Sequence, residues 1–292
     1  MKKFFEKVII FFSWSSSLLI TGSVAVLIGF LIKQGIKNID LELIFGTTTI
    51  WDAITFRKQV FDGLFPALIG TFLVVACSVS MAIPIGIAGG IYMAEYAKGR
   101  GKAWFSLFLD ILAGIPSILI GLAGLSLTIF LHRMFPGKIS TSLLISSISL
   151  ALLVLPYIIR SVQTALEGVD PMTRIIAPSL GASRIDNIFK VLIPNSIQDI
   201  VGGIILAVGR CAEDTAVIML TGAVAVAGIP KNILSQYEAL PFYIYYISSQ
   251  YSSPEELARG YGATILLLIV CTSLLISALW IQKRLTTILL YK

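Results

Sequence analysis

Six long stretches of this chain are apolar and almost free of charge, and that one property decides most of what it can fold into. About 18–20 consecutive apolar residues are enough to cross the hydrocarbon core of a bilayer as a helix. Charged residues make up only 13% of the chain, where a soluble domain carries roughly a quarter. With 57% hydrophobic residues and a mean hydropathy of +0.91, the expected fold is an all-α membrane protein.

The spans are expected at residues 8–32, 64–96, 104–131, 139–165, 197–222 and 262–280. The first is too long for the apolar core of a signal peptide and has no small-residue cleavage site behind it, so it reads as an uncleaved helix. Pro84 with Gly86, Gly89 and Gly90 loosens the second, and GIPS at 114–117 predicts a kink in the third. Residues 33–62 form a polar connection of mixed charge, with room for a short interfacial helix. Tyrosines around 241–246 suit a membrane–water boundary.

The net charge of +6 and pI near 9.2 bear on orientation more than on nucleic acid. With six spans and both termini in the cytoplasm, thirteen lysines and arginines fall inside. Eight fall outside: Lys33, Lys37, Arg57, Lys58, Arg133, Lys138, Lys231 and Arg259. The inverted topology would reverse that bias. Cys77, Cys211 and Cys271 all sit in apolar runs and read as packing thiols. A single histidine, His132, supports neither zinc chemistry nor a catalytic triad. No phosphate-binding loop of the G-x-x-x-x-G-K-[ST] type occurs, so ATP would have to be used by a partner.

The stretch from Asp170 to Gly222 holds the features that point to function. Asp170-Pro171 is a strong helix start, and Pro178 predicts a stop near Ala177. Gly181 supplies a turn, and Ser183 with Asp186 has capping-box spacing, opening a second short helix that ends before Pro194. Two capped helices in a cytoplasmic loop read either as an ordinary ordered loop or as a protein-docking surface. In the next apolar run, Arg210, Glu213 and Asp214 have i, i+3, i+4 spacing and are expected on one helix face. Either Arg210 pairs internally with Asp214, or the group faces a substrate path, where a guanidinium suits phosphate oxygens. Thr215 could line that path or bond to its own backbone. Arg160 ends LPYIIR near the inner boundary and could anchor or support the loop, and Asp110 could cap the inner end of the third span.

LGASRIDNIFKVLIPNSI (180–197) resembles the cytoplasmic signature loop of ABC-importer permeases, with Gly181 at its glycine and Val191 to Pro194 at its close. Residues 63–99, 110–122, 153–166 and 209–222 resemble phosphate-importer permeases of the PstA type. The resemblance implies a six-helix permease bundle over 63–284, preceded by a first helix and outer connection (1–62) and followed by a short tail (285–292). It implies that the loop 170–194 is a coupling element seating on an ATPase, with Arg174, Ala177, Leu180, Gly181, Ala182, Ser183 and Pro194 on its motif. It implies roles in transport for Arg210 and Arg160, a second homologous permease, ATPase subunits and an extracytoplasmic phosphate-binding protein. A sister oxyanion such as molybdate, tungstate or sulfate is the alternative cargo, and a passive channel or scaffold the alternative class. Two positions depart from the family pattern: Ile175 stands where it has glutamate, and Asp214 stands in Glu213-Asp214-Thr215-Ala216-Val217 where it has Gly-Glu-Thr-Ala-Pro.

Overall fold

The computed structural model describes residues 2–55, 62–137 and 139–290, with side chains described from residue 5 to 288 except at 54. Arg57, Lys58, Lys138 and Lys292, used above to judge orientation, lie outside the described residues, as do the side chains of Lys2 and Lys3. The helices are α1 (Lys2–Gly35), α2 (Leu41–Phe45), α3 (Ile50–Ile54), α4 (Phe65–Ile91), α5 (Gly99–Gly114), α6 (Ser117–Met134) and α7 (Leu143–Glu167). After them come α8 (Pro171–Ser179), α9 (Arg184–Asn187), α10 (Ile193–Glu213), α11 (Ala216–Thr221), α12 (Leu240–Gln250) and α13 (Pro254–Leu290). Among the described residues the only β pairing is one isolated bridge, Ala223 with Tyr237.

Among the described residues, six helical segments are long and apolar enough to cross a membrane, in the order expected. Their outward faces stay apolar: Phe11, Trp14, Leu18 and Trp104 are each more than 70% exposed. A bilayer solvates such side chains, so the burial that holds this fold comes from close helix contacts.

α7 is the central post, with α4 and α10 packed against it. Val74, Val75, Leu150, Val154, Ile158, Val162 and Ile200 share one buried core. Glycines set the spacing. A β-carbon at Gly86 or Gly90 would run into Ile158 or Val162, and one at Gly203 into Ser161, so α4 and α10 both lie nearly backbone-to-backbone on α7. α1 packs on α13 through Gly35, where an added β-carbon would sit 2.6 Å from Ile265 Cδ1.

The bundle has two ends. At one, the start of α7 bonds to the loop after α11, with Leu143 N–H donating to Ser235 O and Leu144 N–H to Ile233 O. α2, α12 and the start of α13 share a small core there through Leu43, Leu64, Leu240 and Leu266. At the other end lie α8, α9 and the last turns of α4 and α7.

Four boundaries differ from expectation, each for a physical reason. GIPS makes a break: Ile115 and Pro116 are extended, so the third span is α5 followed by a separate α6. Pro178 does not stop α8, which runs to Ser179. A proline at 178 withholds the donor that Arg174 O would accept, and Asn187 Nδ2 supplies it instead, at 3.1 Å. Pro194 does not stop the next helix either. A π-helical turn (Ile188–Leu192) joins α9 to α10, and Pro194 falls in the first turn of the new register, where its missing N–H is tolerated. The fifth span therefore runs Arg184–Glu213. The sixth continues past Lys283 and Arg284 to Leu290, through most of the segment expected to be a tail.

Candidate functional site

α8 and α9 form a hairpin whose two arginines, Arg174 and Arg184, reach back to Glu95 at the end of the second span, while Asp186 stays at the surface with Lys190. Pro171 opens α8 as expected, but the Asp170 side chain makes no capping bond. Gly181 takes φ +85°, the left-handed turn conformation that favours glycine, and Ala182 N–H closes the turn on Ala177 O at 3.0 Å. Ser183 Oγ accepts from Asp186 N–H at 3.1 Å, while Asp186 holds Lys190 at 2.5 Å, so the capping signal is realised.

Arg174 points back into the bundle. Its Nη1 donates to Glu95 Oε1 at 2.8 Å and its Nη2 to Leu166 O at 2.5 Å. Arg184 stacks 4.6 Å over the Tyr96 ring and also donates to Glu95 O. Glu95 is thus the anchor of the hairpin, and sequence reasoning passed over it. A signal was present: it is the only carboxylate between Asp62 and Asp110. The outward face of α8 is largely apolar, with Met172, Ile175 and Ile176 more than half exposed and Leu180, just after it, 84% exposed.

Arg160 belongs to a second polar group near the same end. Its Nη2 donates to Asp110 Oδ1 and Ser106 Oγ, both at 2.5 Å, and its Nη1 to Gln163 Oε1 at 3.1 Å. Gln163 donates to Glu167, which holds Lys102 at 2.7 Å. Arg160 therefore ties α7 to α5.

Arg210 lies deeper. Gly203 sits against Ser161, so Arg210, seven residues further along α10, is ~10 Å further into the bundle and level with the middle of α7. Its side chain is 45% exposed, and its only described ion pair, to Glu213 Oε1 at 3.4 Å, is long and open. The expected common face does not form. α10 ends at Glu213, Asp214 is extended, and the chain restarts as α11. Asp214 makes no described ion pair with Arg210, is only 7% exposed, and accepts from Val217 N–H at 2.8 Å. Thr215, half-buried, is the N-cap residue just before α11, and its side chain makes no capping bond. Of the expected path residues, the structure brings Arg210 and Glu213 together and sets Asp214, Thr215 and Arg160 elsewhere.

Leu206, Arg210 and Glu213 form an exposed stripe along α10. A guanidinium and a carboxylate at bilayer depth do not face lipid at low cost, so this stripe suits a partner subunit or an aqueous path.

The sequence profile of the family described as "Binding-protein-dependent transport system inner membrane component" matches residues 86–287. The chain is 30% identical to the phosphate transport system permease protein PstA of Haemophilus influenzae, over 87% of this chain and 86% of that one. It is 32% identical over 54% of its length to the phosphate transport system permease protein PstA homolog of Mycoplasma pneumoniae, spanning 25% of that longer protein. Among solved structures, an inward-facing methionine ABC transporter, MetNI, superposes with a TM-score of 0.57 at 16% identity, over 82% of this chain and all of that one. That likeness concerns the fold.

Proposed function

This chain belongs to the family of binding-protein-dependent transport system inner membrane components, and on that premise we propose that it is the phosphate-translocating permease subunit of an ATP-driven importer. The observation that carries the reading is Arg210: a half-exposed side chain at mid-depth, whose one described ion pair, to Glu213, is long at 3.4 Å and open. A guanidinium offers a planar donor fork that matches two phosphate oxygens at once. Glu213 beside it keeps the anion from being held too tightly, because transport requires release as well as entry. The names of the PstA relatives favour phosphate among the oxyanions.

The geometry also supplies a route for work. The apolar face of α8 seats in a groove of a separate ATPase subunit on the cytoplasmic side, which places both termini in the cytoplasm. Movement of that hairpin passes through Glu95 into α4. It also passes along the unbroken helical rod Arg184–Glu213, ~45 Å long, directly to Arg210. A second permease covers the α10 stripe, so that the path runs between the two subunits and opens to alternate sides.

The test is uptake by proteoliposomes holding the whole complex. Phosphate should accumulate only with ATP, the ATPase and the binding protein, and unlabelled sulfate or molybdate should compete weakly. Uptake that persists without the ATPase would leave a passive channel. Stronger competition by another oxyanion would reassign the cargo.

A further inference from the structure

The last helix carries an anion-binding set that the transport reading does not use. Residues 260–282 of α13 hold no charge, a stretch of ~34 Å at the helical rise. That is about the thickness of a bilayer core, so Lys283 and Arg284 emerge together at the boundary. Gln282 fixes both their depth and their direction. Its Nε2 donates to Gln198 O, in the second turn of α10, at 2.6 Å. At 3.6 residues per turn, Trp280, Lys283, Arg284, Thr287 and Ile288 then fall on the face of α13 turned away from α10. All five are exposed, and together they line a pocket of about 430 Å³.

Positive charge beside a span is common and sets orientation. Here it is organised around a ring. Arg284 Cζ lies 4.8 Å from the centre of the Trp280 ring. With its flat face on the indole, a guanidinium keeps N–H donors free at its edge. Lys283 adds a second cation beside it. Thr287 spends its hydroxyl proton on Lys283 O at 2.9 Å, so the two cations are the donors left. Among the described residues neither is in an ion pair, and no carboxylate lines the pocket. Asp199, next to Gln198 on α10, is exposed but is neither a lining residue nor a described partner of either cation. Toward the membrane interior the same face of α13 continues through Ile276 and Ile269, both more than half exposed.

We infer that this pocket holds the phosphate of an acidic phospholipid. Lys283 and Arg284 take the phosphate oxygens, and the acyl chains lie along Trp280, Ile276 and Ile269. That apolar track favours a lipid over free phosphate. A zwitterionic headgroup would bring its own cation into a pocket that already holds two, so a headgroup of net negative charge fits best. The bound lipid steadies the end of α13 that Gln282 ties to α10. None of this depends on which anion the chain carries.

The experiment is lipid retention by the full-length chain in a neutral detergent, read by native mass spectrometry. Phosphatidylglycerol, phosphatidylcholine and inorganic phosphate serve as separate probes. Phosphatidylglycerol should be retained about tenfold over phosphatidylcholine, and Lys283→Gln with Arg284→Gln should remove most of that preference. Trp280→Leu, which keeps both charges and removes the ring beneath Arg284, should lower retention by a smaller factor and stands in should the double variant fail to fold. Equal retention of the two lipids, or a preference that these variants leave untouched, would overturn the inference. Displacement of phosphatidylglycerol by millimolar inorganic phosphate would overturn it too, because the pocket would then be a site for the free anion.

Discussion

Arg174 of α8 and Glu95 at the end of the second span are 79 positions apart in sequence, and their side chains meet at 2.8 Å. Glu95 is 10% exposed and Arg174 27%, so the pair is partly withdrawn from water and binds the hairpin to α4. Removing one partner of such a pair should cost about 1–3 kcal/mol, less than for a fully buried pair. Glu95→Gln should raise amide exchange across 171–187 about tenfold in the detergent-solubilised permease. The ATPase rate should then respond less to substrate. A double-mutant cycle with Arg174→Gln should show that the two losses do not add. Additive losses would mean the pair does not hold the hairpin.

Asp214 caps α11 and does not pair with Arg210. Asp214→Ala should therefore lower thermal stability by about 1 kcal/mol, the usual worth of a helix cap, while Asp214→Asn keeps most of it. Arg210→Ala should leave the melting temperature nearly unchanged. Equal destabilisation by Arg210→Ala would restore the internal pair that i, i+4 spacing suggested.

These two residues show how far the sequence could be read. Six apolar runs and a signature loop are legible because they are local patterns, and so is the Ser183–Asp186 cap. Asp214 leaves the face expected for it for one reason: i, i+4 spacing predicts a shared face only while the helix continues, and α10 stops at Glu213. Likewise Pro178 reads as a stop until Asn187, nine positions away, is known to satisfy the carbonyl left free. Glu95 and Glu238 escaped notice because their partners are distant in sequence or belong to the backbone. Tertiary contacts decide such cases, and periodicity does not report them.

Gly203 lies against Ser161 where α10 crosses α7. Gly203→Ala has nowhere to put its methyl group, and overpacking of this kind costs about 1–3 kcal/mol. Ser161→Gly in the same chain should recover most of the loss, as read by thermal unfolding in detergent. Failure of the rescue would place the strain elsewhere.

Two carboxylates at the end of the bundle opposite the α8 hairpin should respond to pH in opposite directions. Hydrogen bonds from Thr47, backbone first, hold the Asp62 carboxyl below its ordinary value of 3.8. Its contribution to the turn at Gly46 is therefore present above pH 3.8 and is lost as pH falls through the lower folded value. Burial raises Glu238 above its ordinary 4.5, against the pull of the Gly228 and Ala227 N–H groups. Its contribution is greatest below pH 4.5 and is lost as pH rises through the folded value. Amide exchange, corrected for intrinsic rates, should show protection of Thr47 unchanged from pH 8 to 5 and falling below 3.8. Exchange in 224–238 should quicken on passing upward from pH 4.5. The same sign at both places would contradict this assignment.

The most direct measurement of the transport reading is the initial rate of ATP-driven phosphate uptake by proteoliposomes carrying the complex with Arg210→Ala or Arg210→Lys. A lost charge-assisted contact to the anion should lower the rate about 10- to 100-fold for alanine, with partial activity for lysine, which keeps the charge but not the planar fork. Subunit assembly, melting temperature and ATPase coupling through the hairpin should survive. Uptake unchanged by Arg210→Ala, or uptake lost only because the complex no longer assembles, would contradict a phosphate path through Arg210.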